Sequence, residues 1–400
     1  MKTCKLTSAL IFLIWLCSSC NNEEKDNVVS LTTPPPVFNL SDAKVLVDTI
    51  PVNKLSLTGL KNYLEGGSLL LSIALRNGVN VYKINYNSTD VNGDKILLSG
   101  AVVIPDVADS VPILLYEHAT IPEFNEENAP SYFPKLGDGI GMSLFGANKY
   151  LVAAPDYIGY GTTKELEHPY QHRQTLASAS VDMLLATEEF CKVKRLKMTD
   201  KKFITGYSEG AFAGMSTQKL IDEKYPEIKI NLVTLGAGAY NTTDFAKFVL
   251  TTNANLEFIN SYAWVLKVYD KVYKLNRGMG YYFVEPYATE LSNNIWASVA
   301  TNPQALFNQK FVNNILDNSD ANFISALKDN DVYNWTPKVQ MLLYHGTDDD
   351  YVPIFNSESA EAYMKERGAN VKLIKISSAN HTTAVPTFYI NALTEFNAKK

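Results

Sequence analysis

The 400-residue chain has few cysteines and few histidines. Three of the four cysteines, Cys4, Cys17 and Cys20, lie within the first 20 residues, and only Cys191 stands beyond them. A single cysteine in the body of the chain cannot form an intrachain disulfide, and its helical surroundings favour a buried apolar residue over a nucleophile. The five histidines show no metal-ligand spacing beside cysteines or carboxylates, so we predict neither a structural nor a catalytic zinc site.

Strong charge and long apolar runs are also missing. The formal net charge is −6 without a cluster of basic residues, which argues against a nucleic-acid partner. The apolar run at residues 9–16 follows a basic start and is too short for a stable membrane span, so it fits the core of a signal peptide. We expect no later segment to cross a membrane.

A serine flanked by glycines is the most informative motif of the chain. Residues 206–210 read Gly-Tyr-Ser-Glu-Gly, between a predicted buried strand at 202–205 and a predicted helix at 211–222. A Gly-x-Ser-x-Gly turn at such a junction strains the serine backbone and holds its hydroxyl clear of the sheet. We therefore predict Ser208 as a nucleophile. The alternative is an ordinary tight turn with Ser208 as a helix N-cap.

Two partners follow Ser208 in the chain order of the α/β-hydrolases, Ser, then Asp, then His. A predicted strand at 339–344 leads into residues 345–353, His-Gly-x-x-Asp-x-x-Val-Pro, and another at 371–376 precedes His381. The block at 345–353 resembles the acid loop of the α/β-hydrolase superfamily. The resemblance implies that Asp349 is the acid of a catalytic triad, with Asp348 and Asp350 as solvated neighbours.

The chemistry requires these residue types because a serine hydroxyl is a poor nucleophile at neutral pH. His381 would take the proton of Ser208 and later give it to the leaving group, while Asp349 would fix the imidazole tautomer. Asp244, after the predicted sixth strand, is the next candidate for the acid. Without these roles, His381 would be a surface histidine and the aspartates a solvated turn.

The oxyanion of an acyl-transfer reaction needs backbone N–H donors. Glu209, directly after the nucleophile, is predicted to supply one. The second should come from the loop after the predicted strand at 111–116. There the superfamily carries His-Gly-x and this chain has His118-Ala119-Thr120. The match implies Thr120 as the donor, with Ala119 as the alternative.

The other histidines are given structural roles. His118 and His345 are predicted to shape loops rather than to take part in chemistry. His168 and His172 are predicted to be hydrogen-bonded loop histidines rather than substrate contacts, and Pro169 argues against a shared helix face.

A closer resemblance rests on three motifs. Asp-Tyr-x-Gly-x-Gly at 156–161, His-Pro-Tyr at 168–170 and the serine motif, with a predicted helix at 174–191, are similar to the secretory lipase family of fungi and bacteria. This implies an α/β-hydrolase fold, with a mostly parallel central sheet flanked by helices. It also implies an ester hydrolase without a cofactor. The chain departs from the pattern at Ala119 and Ala211, where glycine is usual.

We predict four regions: a signal peptide at 1–19, a tether at 20–40, an α/β-hydrolase core at 41–239 and 336–400, and a helical lid insertion at 240–335. The core is expected to begin with short helices at 55–75 and strands at 81–88 and 96–104, joined by a turn at Asn92-Gly93. Most aromatic residues of the insertion should form its own core. A lid wall of aromatics can also bind an acyl chain, a ring or a sugar face.

The segment Leu-Cys-Ser-Ser-Cys at 16–20 resembles a bacterial lipoprotein signal. The resemblance implies lipid attachment at Cys20, because Ser18 and Ser19 precede it, and a membrane partner through this anchor. The acidic residues that follow are similar to the tether of surface-exposed outer-membrane lipoproteins in Bacteroidetes-type bacteria. The alternative is a secreted protein that is cleaved near Ser19.

The predicted function is hydrolysis of small-molecule or polysaccharide-linked carboxylic esters through an acyl-enzyme on Ser208. A serine exopeptidase of the same fold is the second hypothesis. It ranks lower because Glu209 does not form the acidic pair that holds a substrate amino terminus in such enzymes. A non-catalytic surface-binding lipoprotein that keeps the fold is the third.

Overall fold

The computed structural model describes residues 38–64 and 73–400. Its strands are β1 (Leu46–Leu55), β2 (Val79–Thr89), β3 (Lys95–Pro105), β4 (Val111–Glu117), β5 (Leu151–Pro155), β6 (Met198–Tyr207), β7 (Leu232–Gly236), β8 (Met341–Gly346) and β9 (Val371–Ile376). They form one sheet in the order β1-β2-β3-β5-β4-β6-β7-β8-β9.

The sheet is antiparallel at its β1 side and parallel over the rest of its width. Strands β1, β2, β3 and β5 pair antiparallel, whereas the pairs from β5 through β4 to β9 are parallel. Strands β4, β5, β7 and β8 are buried along their whole length, as expected for a parallel sheet covered on both faces. The carboxyl ends of β6, β8 and β9 therefore meet at one edge of the sheet.

The helices of the described residues either cover the two faces of the sheet or belong to the segment between β7 and β8. They are α1 (Leu57–Tyr63), α2 (Asp138–Gly146), α3 (Arg173–Lys194), α4 (Glu209–Lys224), α5 (Thr242–Thr251), α6 (Ile259–Val272), α7 (Met279–Tyr282), α8 (Tyr287–Asn293), α9 (Pro303–Leu306), α10 (Gln309–Leu316), α11 (Ala321–Asp329), α12 (Phe355–Glu366) and α13 (Val385–Asn397). Short 3-10 helices lie at Leu40–Asp42, Glu123–Asn128, Pro130–Tyr132 and Gly161–Thr163.

The two-residue period of the strands divides the core into two layers. On β4, Ile113 packs in the cluster that contains residues of α3 and α4, and its neighbour Leu114 packs in the cluster that contains residues of α2 and α13. Successive side chains of a strand point to opposite faces, so one apolar strand serves both layers.

The segment between β7 and β8 folds over its own core. It contains helices α5 to α11, and buried aromatic residues such as Trp264, Tyr282, Phe311 and Phe323 form a third hydrophobic cluster there. This segment is called the helical insertion below.

The start of the core differs from the sequence prediction. Strand β1 was not predicted. It pairs with β2 at the edge of the sheet, and its register shifts between Leu46 and Asp48 and between Pro51 and Asn53. Pro51 and the bulges interrupt the alternation of apolar residues, and proline is tolerated at sheet edges. The predicted strands at 81–88 and 96–104 correspond to β2 and β3, with Gly93 in the turn at φ 84°.

Part of the prediction falls outside the described residues. The signal peptide, Cys20 and most of the tether lie within residues 1–37, and part of the predicted helical stretch lies within 65–72. Among the helices that the structure describes, none combines the length and the apolar character needed to cross a bilayer.

Candidate active site

Ser208 stands at a sharp turn between β6 and α4. Its backbone has φ 56° and ψ −119°, outside the regions that a serine prefers. The flanking glycines are required by close packing, because an added Cβ would lie 2.3 Å from the Gly210 oxygen at Gly206 and 2.1 Å from the Glu117 oxygen at Gly210. The turn thus has the geometry expected for a nucleophile elbow.

Three residues predicted from the sequence form one hydrogen-bonded chain. Nε2 of His381 lies 2.9 Å from Oγ of Ser208, and Nδ1 of His381 lies 2.8 Å from Oδ2 of Asp349. Asp349 follows β8 and His381 follows β9, so these hydrogen bonds form where the parallel strands end.

The carboxylate of Asp349 is enclosed by donors. Its Oδ1 accepts hydrogen bonds from the backbone N–H groups of Tyr351 at 3.0 Å and Val352 at 2.8 Å. Burial alone would raise the pKa of Asp349, but hydrogen bonds from His345 and His381 outweigh it and hold that pKa below its usual range. Asp349 is therefore ionised at neutral pH.

The alternative acid, Asp244, and the two neighbours of Asp349 have other partners. At the start of α5, the carboxylate of Asp244 accepts a hydrogen bond from the side-chain amide of Asn241, and the backbone N–H of Asp244 donates one to the side-chain oxygen of Asn241. Asp348 accepts a hydrogen bond from the hydroxyl of Thr347, and Asp350 lies 3.4 Å from the backbone N–H of His381.

In the loop after β4, the backbone N–H of Ala119 is engaged and that of Thr120 is not. The N–H of Ala119 is shared between the two carboxylate oxygens of Asp138, both at 3.3 Å. The N–H groups of Thr120 and Glu209 donate to no other residue in the described part of the chain. Nδ1 and Nε2 of His118 lie 2.7 and 3.1 Å from the carbonyl oxygens of Ala119 and Asp156, which holds this loop in place.

The remaining histidines are buried. Nε2 of His168 lies 2.7 Å from Oε1 of Glu209, a contact that the sequence analysis missed because no motif pairs these residues. His172 lies before α3 with Nδ1 3.1 Å from Oγ1 of Thr175, and burial lowers its pKa to about 4.

An apolar cavity extends from Ser208 into the helical insertion. Its walls come from α5, α6, α10, α11 and the loop after β8: Phe245, Ala246, Val249, Leu250, Tyr262, Val265, Leu266, Phe311, Phe323, Leu327, Tyr351 and Val352. The residues of the lining that carry polar groups are Tyr170, Gln171, Ser208, Thr242, Ser261, Tyr262 and Tyr351. The cavity suits a hydrocarbon group.

Tyr351 joins the loop of Asp349 to the insertion. Its ring stacks on Phe258 with centroids 3.9 Å apart, and its carbonyl oxygen accepts a hydrogen bond of 2.7 Å from the hydroxyl of Tyr262. Apart from the abundance of aromatic residues, no sequence pattern indicates this contact.

The secretory lipase family matches residues 142–399 of the chain. No curated protein matches it in sequence. Among solved structures, a protein of Legionella pneumophila assigned as a hydrolase has a TM-score of 0.81 at 24% identity, over 89% of this chain and 98% of that one.

Two further structures share the fold. The rice cell wall degrading esterase LipA of Xanthomonas oryzae has a TM-score of 0.75 at 20% identity, over 89% of this chain and 99% of its own. Lipase A of Candida antarctica has a TM-score of 0.63 at 17% identity, over 85% and 78%. The predicted α/β-hydrolase fold is confirmed. Because the family match spans more than half of the sequence, the chain belongs to the secretory lipase family and is a hydrolase of the ester-cleaving class.

Proposed function

We propose that the protein hydrolyses carboxylic esters through an acyl-enzyme on Ser208. The observation that carries the proposal is the hydrogen-bonded chain from Ser208 through His381 to Asp349, at the mouth of an apolar cavity. Neither the cavity nor the three hydrogen-bonded side chains alone would support the proposal. Together they bring a nucleophile, a base and a site for an acyl group within reach of one substrate.

In the first half of the reaction, Oγ of Ser208 attacks the ester carbonyl carbon while Nε2 of His381 takes the hydroxyl proton. The negative charge that develops on the carbonyl oxygen is stabilised by the backbone N–H groups of Glu209 and Thr120. Collapse of the tetrahedral intermediate breaks the bond to the alcohol oxygen, which receives the proton from His381.

In the second half, His381 takes a proton from water, and the hydroxide attacks the acyl carbon. The ester bond to Ser208 breaks, Oγ regains its proton from His381, and the carboxylic acid leaves. Ionised Asp349 stabilises the imidazolium in both halves.

The acyl group is assigned to the cavity of the insertion. Aliphatic and aromatic side chains line this cavity, and burial of each CH₂ group contributes about 0.8 kcal/mol to binding. The alcohol group would then face the opening. An alcohol attached to a polysaccharide fits this arrangement, in line with the cell wall degrading activity named for the Xanthomonas oryzae relative.

The proposal is tested with nitrophenyl esters from acetate to palmitate, a feruloyl ester, acetylated xylan and aminoacyl anilides. We expect ester cleavage, together with labelling of Ser208 by a fluorophosphonate probe that Ser208→Ala abolishes. Cleavage of the anilides alone would indicate an exopeptidase. An unlabelled wild-type protein without esterase activity would indicate a binding protein.

We also propose that the protein is exported and anchored by lipid at Cys20, on the outer membrane. The secretory family supports export, and the lipid anchor rests on the sequence motif at residues 16–20.

A further inference from the structure

Glu209 and His168 form a buried pair directly beside the proposed nucleophile. Nε2 of His168 lies 2.7 Å from Oε1 of Glu209, and neither side chain has exposed surface. Glu209 is the first residue of α4, and His168 belongs to the loop before α3, 41 residues earlier in the chain. The contact therefore links the turn that carries Ser208 to a separate loop.

The geometry fixes the number of protons in this pair. Nδ1 of His168 lies 2.7 Å from the carbonyl oxygen of Ile158, and since a carbonyl oxygen only accepts, Nδ1 carries a hydrogen. On a neutral ring, Nε2 would then present a lone pair to the carboxylate, which is repulsive at hydrogen-bonding distance. One proton must lie between Nε2 and Oε1. Whichever atom holds it, the pair has no net charge.

We propose that His168 neutralises Glu209 so that no net negative charge stands beside the oxyanion. The inference rests on the proposed function, in which the N–H of Glu209 stabilises that oxyanion. Oε2 of Glu209 is buried without a hydrogen-bond partner in the described part of the chain, so His168 alone compensates this carboxylate. An uncompensated charge here would oppose the charge that forms in the transition state, in surroundings that screen it weakly.

Among the described residues, no group around the pair other than His168 hydrogen-bonds to the carboxylate of Glu209. The ring of His168 contacts those of Tyr160, at a centroid distance of 4.8 Å, and Trp264, at 5.6 Å. Burial raises the pKa of Tyr160 well above its ordinary value, so its phenol stays neutral. The titratable and charged groups on the inner side of the pair are Tyr157, Tyr160, Tyr170, Tyr351, Glu117, His118, Asp138 and His381. Those around the cavity beyond His168 are Asp90, Glu123, Glu167, Lys267 and Lys271.

The two outer lysines are already engaged. Lys267 and Lys271 both pair with Glu167. His168 is thus a positioning residue that acts through Glu209, and its contribution should be visible as an effect of charge.

The test compares His168→Asn with the double variant His168→Asn/Glu209→Gln. Asparagine can donate a hydrogen bond to Glu209 but cannot supply the additional proton. For His168→Asn, we expect kcat/KM on a small aryl ester to fall on the order of 10- to 100-fold. Binding of a phenylboronic acid, which forms an anionic adduct with Ser208, should weaken in parallel.

Glu209→Gln in the same background removes the ionisable group. The double variant should recover about tenfold or more of the lost kcat/KM. A double variant no more active than His168→Asn would overturn the inference and leave a merely structural contact. His168→Gln serves the same comparison if circular dichroism shows that the asparagine variant does not fold.

Labelling separates this inference from the proposed function. A wild-type protein that a fluorophosphonate does not label at Ser208 contradicts the proposed function. A labelled, active wild-type protein without rescue in the double variant contradicts only the role of His168.

Discussion

Nε2 of His345 lies 3.3 Å from Oδ2 of Asp349, the same oxygen that accepts the hydrogen bond of His381 at 2.8 Å. The same Nε2 of His345 lies 2.7 Å from the carbonyl oxygen of Val352. Nδ1 of His345 lies 2.7 Å from Oγ of Ser357. Nε2 must therefore carry the ring hydrogen, while Nδ1 accepts from Ser357. A residue four positions before the proposed acid thus helps to hold it in place.

The first prediction concerns this second histidine. His345→Phe should lower kcat on the order of tenfold with little change in KM, because Asp349 loses a donor and its orientation toward His381 loosens. His345→Gln, which retains an N–H donor, should recover most of the loss. Steady-state kinetics on a nitrophenyl ester measure both. A fully active His345→Phe would show that the backbone N–H groups of Tyr351 and Val352 hold Asp349 without help.

The second prediction identifies the acid. Asp349→Asn should lower kcat by several orders of magnitude, on the order of 10⁴, because it leaves His381 in the wrong tautomer. Asp244→Asn is the matched control and should stay near wild type, since Asp244 bonds only to Asn241 among its described contacts. Ser208→Ala and His381→Ala should each cost on the order of 10⁴ or more in kcat. An inactive Asp244→Asn combined with an active Asp349→Asn would reverse the assignment.

Glu117, at the end of β4, is a buried acid that the proposed reaction does not use. It has no exposed surface and accepts hydrogen bonds from Tyr157 at 2.9 Å, Ser180 at 2.8 Å and Thr217 at 3.2 Å. Burial outweighs these hydrogen bonds and raises the pKa of Glu117 to about 7. The folded protein therefore holds this proton at a pH where the unfolded chain, with a glutamate pKa of about 4.3, has lost it.

The third prediction is that Glu117 makes stability depend on pH. Its contribution is fully present below about pH 4 and is lost as the pH rises toward 7, because the unfolded chain binds fewer protons over this range. Glu117→Gln should remove this pH dependence, which for a shift of this size changes the free energy of unfolding by about 4 kcal/mol between the two pH limits. Urea unfolding of both proteins at several pH values measures the difference. Parallel curves for the two proteins would show that Glu117 does not titrate in this range.

The local sequence pattern was sufficient to predict much of the fold and the residues of the candidate site. The strand and helix around Ser208, and the loops of Asp349 and His381, follow from apolar runs and motif spacing. Strand β1 could not be predicted, because Pro51 and two bulges interrupt its alternation and its register depends on β2. An edge strand of this kind is set by its neighbour rather than by its own residues.

Contacts between residues that are distant in the sequence could not be predicted either. The pairing of His168 with Glu209 and the stacking of Tyr351 on Phe258 depend on how the loops cross above the sheet. Each of these residues, taken singly, has the features of an ordinary loop or core residue. Their roles follow only from tertiary geometry.

The fourth prediction concerns the acyl cavity. Ala246 lines it from α5, whereas Thr251, at the end of the same helix, is exposed and does not. Ala246→Trp should fill part of the cavity and lower kcat/KM for the longest esters on the order of 10- to 100-fold, with little effect on acetate, because only long acyl chains need the blocked space. Thr251→Trp is the control and should leave the chain-length profile unchanged. An equal loss on acetate and on long esters would place the acyl group elsewhere.

The last prediction concerns the proposed anchor, whose residues lie within the part of the chain that the structure does not describe. Each buried CH₂ of an attached lipid contributes about 0.8 kcal/mol, so two or three acyl chains hold a protein firmly on a membrane. The full chain should therefore pellet with membranes. Cys20→Ala should abolish palmitate labelling, and Cys17→Ala is the matched control that should keep it.

A chain that begins after Pro36 should remain in solution and retain its activity on small esters, because the described hydrophobic clusters and the candidate site all lie beyond that point. Palmitate labelling that persists in Cys20→Ala would contradict the lipoprotein assignment. Loss of activity in the shortened chain would instead show that the N-terminal segment contributes to the fold.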